Sequence, residues 1–376
     1  MPRRCHPRPG AAVLACLAAV ALGRSTHAHD LERTTVHLTL ARDGAFTLRM
    51  AHDPAWLLLR LEGYGGGPPS TAVDERTRDR RLAELAPLMI DRVVLFIDGA
   101  EVRPATVEYI PPPKVAPSGQ FALASYMLRG QLPASARTLR WYYGLVLDPY
   151  PLTITAADGT SLTEWVQGDA WSTALPLGGP FARPSRWTSL TRYLALGYTH
   201  ILPKGLDHIL FVLGLFLLCA RLRPVLLQVT TFTVAHSMTL ALGLYGLVSL
   251  PSRIVEPLIA LSIVYVAVEN LRTQTLGPWR IALVFLFGLL HGMGFAGVLT
   301  NLELPRASFA VALAGFNLGV EAGQLSVMAI AALLVGGFRH QPWYRRRIVV
   351  PASLAIAAVG LYWTVTRIGL ALQLTG

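Results

Sequence analysis

Two rhythms of apolar and polar residues divide the chain. Over the first half they alternate in short runs, and residues 35–40, 45–50, 92–97 and 139–147 read as strands, with Asp43-Gly44 and Asp98-Gly99 as turn signals. One helical pattern, residues 77–88, precedes the third of these strands, and residues 65–70 and Pro111-Pro112-Pro113 read as loops. After a linker containing Gly and Pro at 178–184, the alternation gives way to long apolar runs. Six of them, roughly 194–220, 225–248, 254–271, 281–299, 309–336 and 349–370, are long enough to cross the hydrocarbon of a bilayer as helices. The pattern predicts a mixed fold. An N-terminal extracytoplasmic domain of β-sandwich type is followed by an all-α polytopic membrane domain of about six or seven transmembrane helices.

The ends of the chain refine this picture. Arg3, Arg4 and Arg8 precede a short apolar stretch, 11–23, and Thr26-His27-Ala28 offers small residues for cleavage. This is the layout of a secretory signal peptide cut after Ala28. It gives a signal peptide over 1–28, a β-rich domain over 29–187 and a helical membrane domain over 188–376. Cys16 does not sit in a lipoprotein box, because Leu14 is too bulky for its position there. Of three cysteines, Cys5 and Cys16 leave with the signal peptide and Cys219 remains. One thiol makes neither an intramolecular disulfide nor a thiolate cluster, so a metal site here relies on nitrogen and oxygen ligands.

The formal charge is +11, which would fit nucleic acid if the arginines were not placed as they are. With the β-rich domain outside, the inner loops carry Arg221, Arg223, Arg272, Arg280, Arg339, Arg345, Arg346 and Arg347, and the outer loops only Arg253 and Arg306. That asymmetry follows the positive-inside rule and points to a plasma (inner) membrane protein with no nucleic-acid partner.

Ionisable residues interrupt the apolar runs. Asp207-His208 lies in the first, and an aspartate at the centre of a spanning helix costs roughly 2.5–3.5 kcal/mol on insertion scales, so it marks a functional site. His200 precedes it by seven positions, which on one continuous helix puts His200 and Asp207 near a common face. Pro203 and Gly205 lie between them and permit a bend. An Asp-His pair that only holds helices together is the plainer alternative. His236 in the second run and His291 in the fourth are further candidates, each with an interhelical hydrogen bond as the bland reading. Thr233 and Ser237 are expected to bond to carbonyls of their own helix. In the fifth run Gly315, Gly319 and Gly323 recur every four residues, while Asn317, Glu321 and Gln324 project roughly to the other side, so one face packs and the other coordinates. Glu256 and Glu269-Asn270, near the ends of the third run, rank second. Spans one to three and four to six also have the order expected of inverted repeats, with His208 answering His291 and His236 answering Glu321. A mature terminus at His29, assisted by His37 and His52, offers another chelator, although a solvated terminus is the simpler reading.

The motifs Gly197-Tyr198-Thr199-His200, Gly205-Leu206-Asp207-His208, Phe232-Thr233-Val234-Ala235-His236-Ser237, Phe287-Gly288-Leu289-Leu290-His291-Gly292 and Gly315-Phe316-Asn317-Leu318-Gly319-Val320-Glu321 resemble the HupE/UreJ family across the whole membrane half. Its members are hydrogenase or urease accessory proteins and proposed nickel or cobalt permeases, with a histidine, a short spacer and an Asp-His pair in the first helix. Here six residues separate His200 from Asp207, one more than in the shortest form of that signature. The resemblance implies a permease whose substrate is a divalent transition metal, with the bilayer and metalloenzyme maturation proteins as partners. Imidazole and carboxylate suit nickel, cobalt or zinc, while the affinity order alone favours copper. Asp207, His208, His236, His291 and Glu321, with His200 and Asn317, form the expected transient site. No phosphate-binding loop occurs, which argues against a built-in ATPase. Two rivals remain: an intramembrane zinc hydrolase using Ser237 and the histidines, and a non-catalytic scaffold for metalloenzyme maturation.

Overall fold

The structure is a computed structural model that describes residues 34–66, 70, 74–113, 122–146, 149–177, 181, 185–218, 222–248, 250–300 and 309–373, with backbone alone at 253, 295–300 and 370–373. The expected signal peptide and His29 lie outside the described residues, as do most of the 178–184 linker, Cys219, Arg221 and Arg306. Two compact units are present, one within Asp30–Pro184 and one within Ser185–Gly376.

The first unit is rich in strands: β1 (Thr35–Leu40), β2 (Ala45–His52), β3 (Val93–Ile97), β4 (Ala100–Val102), β5 (Thr106–Ile110), β6 (Ala124–Gln131), β7 (Thr138–Tyr143), β8 (Tyr150–Thr155), β9 (Ser161–Val166) and β10 (Leu175–Pro176). They form a six-stranded sheet, β5-β6-β2-β1-β8-β9, and a four-stranded sheet, β10-β7-β3-β4. Pairing is antiparallel except between β1 and β8. Both expected turns are present. Gly44 has φ 83°, and Asp98 and Gly99 have φ 48° and 93°, the left-handed pair that a two-residue hairpin requires. The Asp98 carboxylate also accepts from the backbone N–H groups of Arg137 and Thr138, both at 2.9 Å, which fastens the turn to β7. Alternation places Val36, Leu38, Leu48 and Met50 of one sheet and Val93, Leu95, Leu139 and Trp141 of the other in a single core.

The helical content of this unit differs from expectation. Among the described residues three helices occur, α1 (Pro54–Tyr64), α2 (Glu75–Glu84) and α3 (Ala86–Ile90), not one over 77–88. Asp53 caps α1 by accepting from Ala55 and Trp56, with Pro54 as its first residue. The expected helix divides at Leu85, two residues before Pro87, whose ring and missing N–H disfavour an uninterrupted helix. His52 is no helper to a chelating terminus. It is fully buried, its Nε2 lies 2.7 Å from the Tyr143 hydroxyl, and its ring stacks on Trp56. Burial pulls its pKa down to about 3, so the ring is neutral.

The second unit is helical: α4 (Arg186–Ile201), α5 (Leu206–Leu218), α6 (Leu222–Leu244), α7 (Ser252–Arg272), α8 (Arg280–Thr300), α9 (Phe309–Val335) and α10 (Val350–Gln373). Among the described residues, four stretches are helical, long and apolar enough to cross a membrane: Leu222–Leu244, Ile254–Arg272, Phe309–Phe338 and Arg345–Gly369. A fifth is reached if α4 and α5 count as one span, and Arg280–Gly294 of α8 is a shorter apolar helix. Four to five spans among the described residues stand against the six or seven expected. The first span is not the single rod predicted over 194–220, because α4 and α5 meet at a 72° bend. Pro203 and Gly205 lie in the break, and a Cβ at Gly205 would collide with the His200 carbonyl.

The most extensive helix contacts are α4 with α9, α6 with α8 and α7 with α10. Small residues allow the first two to approach at backbone distance. A Cβ at Gly197 of α4 would overlap the Phe316 carbonyl of α9, and one at Gly319 would overlap the Leu194 carbonyl. A Cβ at Gly288 of α8 would stand 2.6 Å from the Phe232 carbonyl oxygen of α6. The glycine face expected for the fifth run therefore packs against α4.

Candidate metal centre

The bend between α4 and α5 brings His200, in the last turn of α4, back toward His208, in the first turn of α5. Their rings meet edge to face with centroids 5.0 Å apart. His236, midway along α6, completes a group in which one ligand atom from each of the three histidines lies within 4.8 Å of the others. All three are buried. His291 of α8 adjoins the group, its ring centroid 4.9 Å from that of His208. Phe316 packs on His200 and His236, while Phe232 packs on His208, His236 and His291. These apolar walls keep the imidazoles in a low-dielectric setting, where a cation bound by neutral nitrogens is poorly screened.

Neighbouring groups fix which ring nitrogen carries the hydrogen. Asn317 donates through Nδ2 to the Leu313 carbonyl at 2.9 Å, which turns its Oδ1 toward His236 Nδ1 at 3.4 Å. That oxygen only accepts, so Nδ1 of His236 holds the hydrogen and Nε2 presents the lone pair. Ser262 of α7 donates to the Ile259 carbonyl at 2.7 Å and lies 3.2 Å from His291 Nε2. With its hydrogen so used, Ser262 accepts from Nε2, and Nδ1 of His291 carries the lone pair.

Asp207 is placed differently from the sequence expectation. Successive helical residues point about 100° apart, and while His208 enters the histidine group, the Asp207 carboxylate meets Arg367 of α10 through Oδ2 at 3.1 and 3.2 Å. Both partners are buried, at 0% and 5% relative exposure. Arg367 also donates to the Glu256 carbonyl at 3.0 Å and lies over the Trp363 ring. The pair meets the need of a buried carboxylate for a counter-charge. The common helical face expected for His200 and Asp207 is lost because the helix does not continue through the break.

Glu321 stands outside the three-histidine group. It lies one turn beyond Asn317 on α9, where its Oε1 accepts from Thr230 at 2.8 Å and its Oε2 is buried without a hydrogen bond among the described residues. Gln324, one turn further, accepts from Thr233 at 3.0 Å. Ser237 donates to the Thr233 carbonyl at 2.6 Å and Thr233 to the Val229 carbonyl at 3.2 Å, the intrahelical bonds expected of them. Arg280, expected as a loop charge, is 3% exposed and joins Glu269 at 2.6 Å and Gln228 at 2.7 Å, fastening α8 to α7 and α6. Asn270 donates to the Gly214 carbonyl at 2.8 Å.

Sequence reasoning misses Arg367 and Ser262 as contributors to this polar interior, because pairing over long separations decides the role of each. Arg367 carries a usable signal, since it is a charged residue inside the last apolar run. Ser262 carries none.

A family model described as HupE / UreJ protein matches residues 180–367, half of the chain. No curated protein and no solved structure matches.

Proposed function

The chain belongs to the HupE/UreJ family, and from that membership together with its buried histidines we propose that it is a membrane permease for a divalent transition metal, nickel or cobalt above all. The observation that carries this reading is the group formed by His200, His208 and His236, whose ligand atoms lie within 4.8 Å of one another between apolar helices. Three imidazoles with carboxylate and amide oxygen nearby form a donor set for a borderline cation. A permeating ion must also be released, so a site of neutral nitrogens without a full carboxylate shell suits transport better than permanent storage.

In this reading the ion binds first among the histidines. His236 is oriented by Asn317, and Glu321 supplies a carboxylate further along α9. Asp207 acts on the site through the charge balance it shares with Arg367 and not as a direct ligand. Residues 1–28 serve as a signal peptide, and 29–187 form an extracytoplasmic domain whose two sheets pack in the manner of a sandwich. Residues 188–376 lie in the plasma membrane, and metalloenzyme maturation proteins receive the ion.

The test is uptake of nickel, cobalt, zinc and copper into proteoliposomes, comparing the full chain with His208→Ala. Selective flux in the parent and its loss in an inserted, folded variant support the permease. Parental flux in the variant would remove His208 from the site, and zinc retained without flux of any ion would favour a zinc-dependent membrane enzyme.

A further inference from the structure

The helix pairing has an internal symmetry. Treating α4 with α5 as one segment gives six helical segments in chain order, and their closest pairs are first with fifth, second with fourth and third with sixth. Exchanging segments one to three with four to six returns the same three pairs. Side chains at the two close contacts follow the same exchange. Gly197 of α4 sits on the Phe316 carbonyl of α9, and Gly288 of α8 sits on the Phe232 carbonyl of α6. Three residues after each glycine comes a histidine, His200 in one half and His291 in the other. Phe316-Asn317 in one half corresponds to Phe232-Thr233 in the other, and Gly319 to Ala235. Packing therefore matches His200 with His291, in place of the match between His208 and His291 expected from sequence.

His208 belongs to neither member of that match. Its ring is flanked by both, 5.0 Å from His200 at an interplanar angle of 68° and 4.9 Å from His291 at 78°. The geometry points to a second cation position, formed by His208 and His291. This inference rests on the permease reading above. A divalent transition ion held by His200, His208 and His236 passes to the second position by giving up His200 and His236 and gaining His291, while His208 stays bound. No covalent bond between protein atoms changes. Two nitrogen–metal bonds break and one forms, with water completing the ion's coordination, and Ser262 keeps the His291 lone pair on Nδ1 throughout. With two imidazoles against three, the second position holds the ion more weakly, so equilibrium binding reports the first position and onward movement proceeds from the second. Structurally repeated halves around a central site also give a route to opening on alternate sides.

The experiment separates binding from movement. The full chain and its His200→Gln and His291→Gln variants are purified in detergent, titrated with Co²⁺ while the visible absorption of the bound ion is recorded, and then assayed for Co²⁺ flux in proteoliposomes. His200→Gln is expected to weaken Co²⁺ binding at least about tenfold and to change the spectrum. His291→Gln is expected to leave affinity and spectrum as in the parent while lowering flux at least about tenfold. Binding and spectrum altered alike in both variants would mean a single four-histidine site and overturn the second position. Parental flux in His291→Gln would do the same. Should His291→Gln fail to accumulate, Ser262→Ala takes its place, with unchanged binding and reduced flux expected and parental flux overturning the assignment. A parent chain that neither binds nor carries the ion defeats the permease reading itself, whereas the other refuting patterns strike only the second position.

Discussion

Replacing His52 by Gln should flatten the acid dependence of the strand-rich unit. The folded ring has its pKa lowered from 6.5 to about 3 by burial against Trp56 and Tyr143. In the unfolded chain the same ring ionises near its ordinary value, so below about pH 6.5 the unfolded state takes up a proton that the folded state refuses. Stability from this residue is therefore complete above that value and falls as the pH drops toward the folded pKa. At about 1.4 kcal/mol per pH unit the loss is about 2 kcal/mol between pH 7 and pH 5, with a ceiling of about 5 kcal/mol near pH 3. Hydrogen exchange of the β2 and β6 amides in the full chain reads the local opening free energy without separating the units. The parent should lose protection steeply over that range, and His52→Gln should start less stable at neutral pH but change little from this source. Equal pH slopes in parent and variant would refute the assignment of a neutral, buried His52.

Two further perturbations address the helical unit. Asp207→Asn or Arg367→Gln alone strands a buried charge and should lower stability by about 3–5 kcal/mol, while the double variant should recover most of the loss; thermal unfolding in detergent reads this, and a double variant no better than the singles would contradict the pairing. Gly319→Ala forces a methyl into the Leu194 carbonyl and should cost about 1–3 kcal/mol and weaken Co²⁺ binding by displacing α4, which bears His200. Gly369→Ala, with nothing within 4 Å of the added carbon, is the neutral control in the same melting and titration series.

Much of the local structure is legible in the sequence because it depends on near neighbours. Alternation marks β1, β2 and β3, and the apolar runs mark α6, α7, α9 and α10. Asp53-Pro54 carries a helix start that the strand pattern around it hides, a capping carboxylate followed by a proline suited to the first turn. The histidines stand out as intrusions into apolar sequence, and the structure brings three of them together. The role of Asp207 is not legible, because it depends on Arg367, 160 positions away, and no periodicity encodes such a separation. Pro203 and Gly205 announce that a bend is permitted but not its geometry, so a face shared by His200 and Asp207 belongs to a helix that does not continue. Ser262 is one hydroxyl in an apolar helix, and its importance comes wholly from the ring it meets.

The glycine contacts also determine what moves with what. Where two helices touch through their backbones at glycine, the fit leaves little room for either to shift, so α4 with α9 and α6 with α8 behave as planks glued at those contacts. His236 and His291 ride on the second plank and keep their spacing, whereas His200 and Asn317 ride on the first. The 3.4 Å contact from His236 to Asn317 crosses the seam between planks. The contacts from Thr230 to Glu321 at 2.8 Å and from Thr233 to Gln324 at 3.0 Å cross the same seam, so sliding of one plank past the other would be felt at all three.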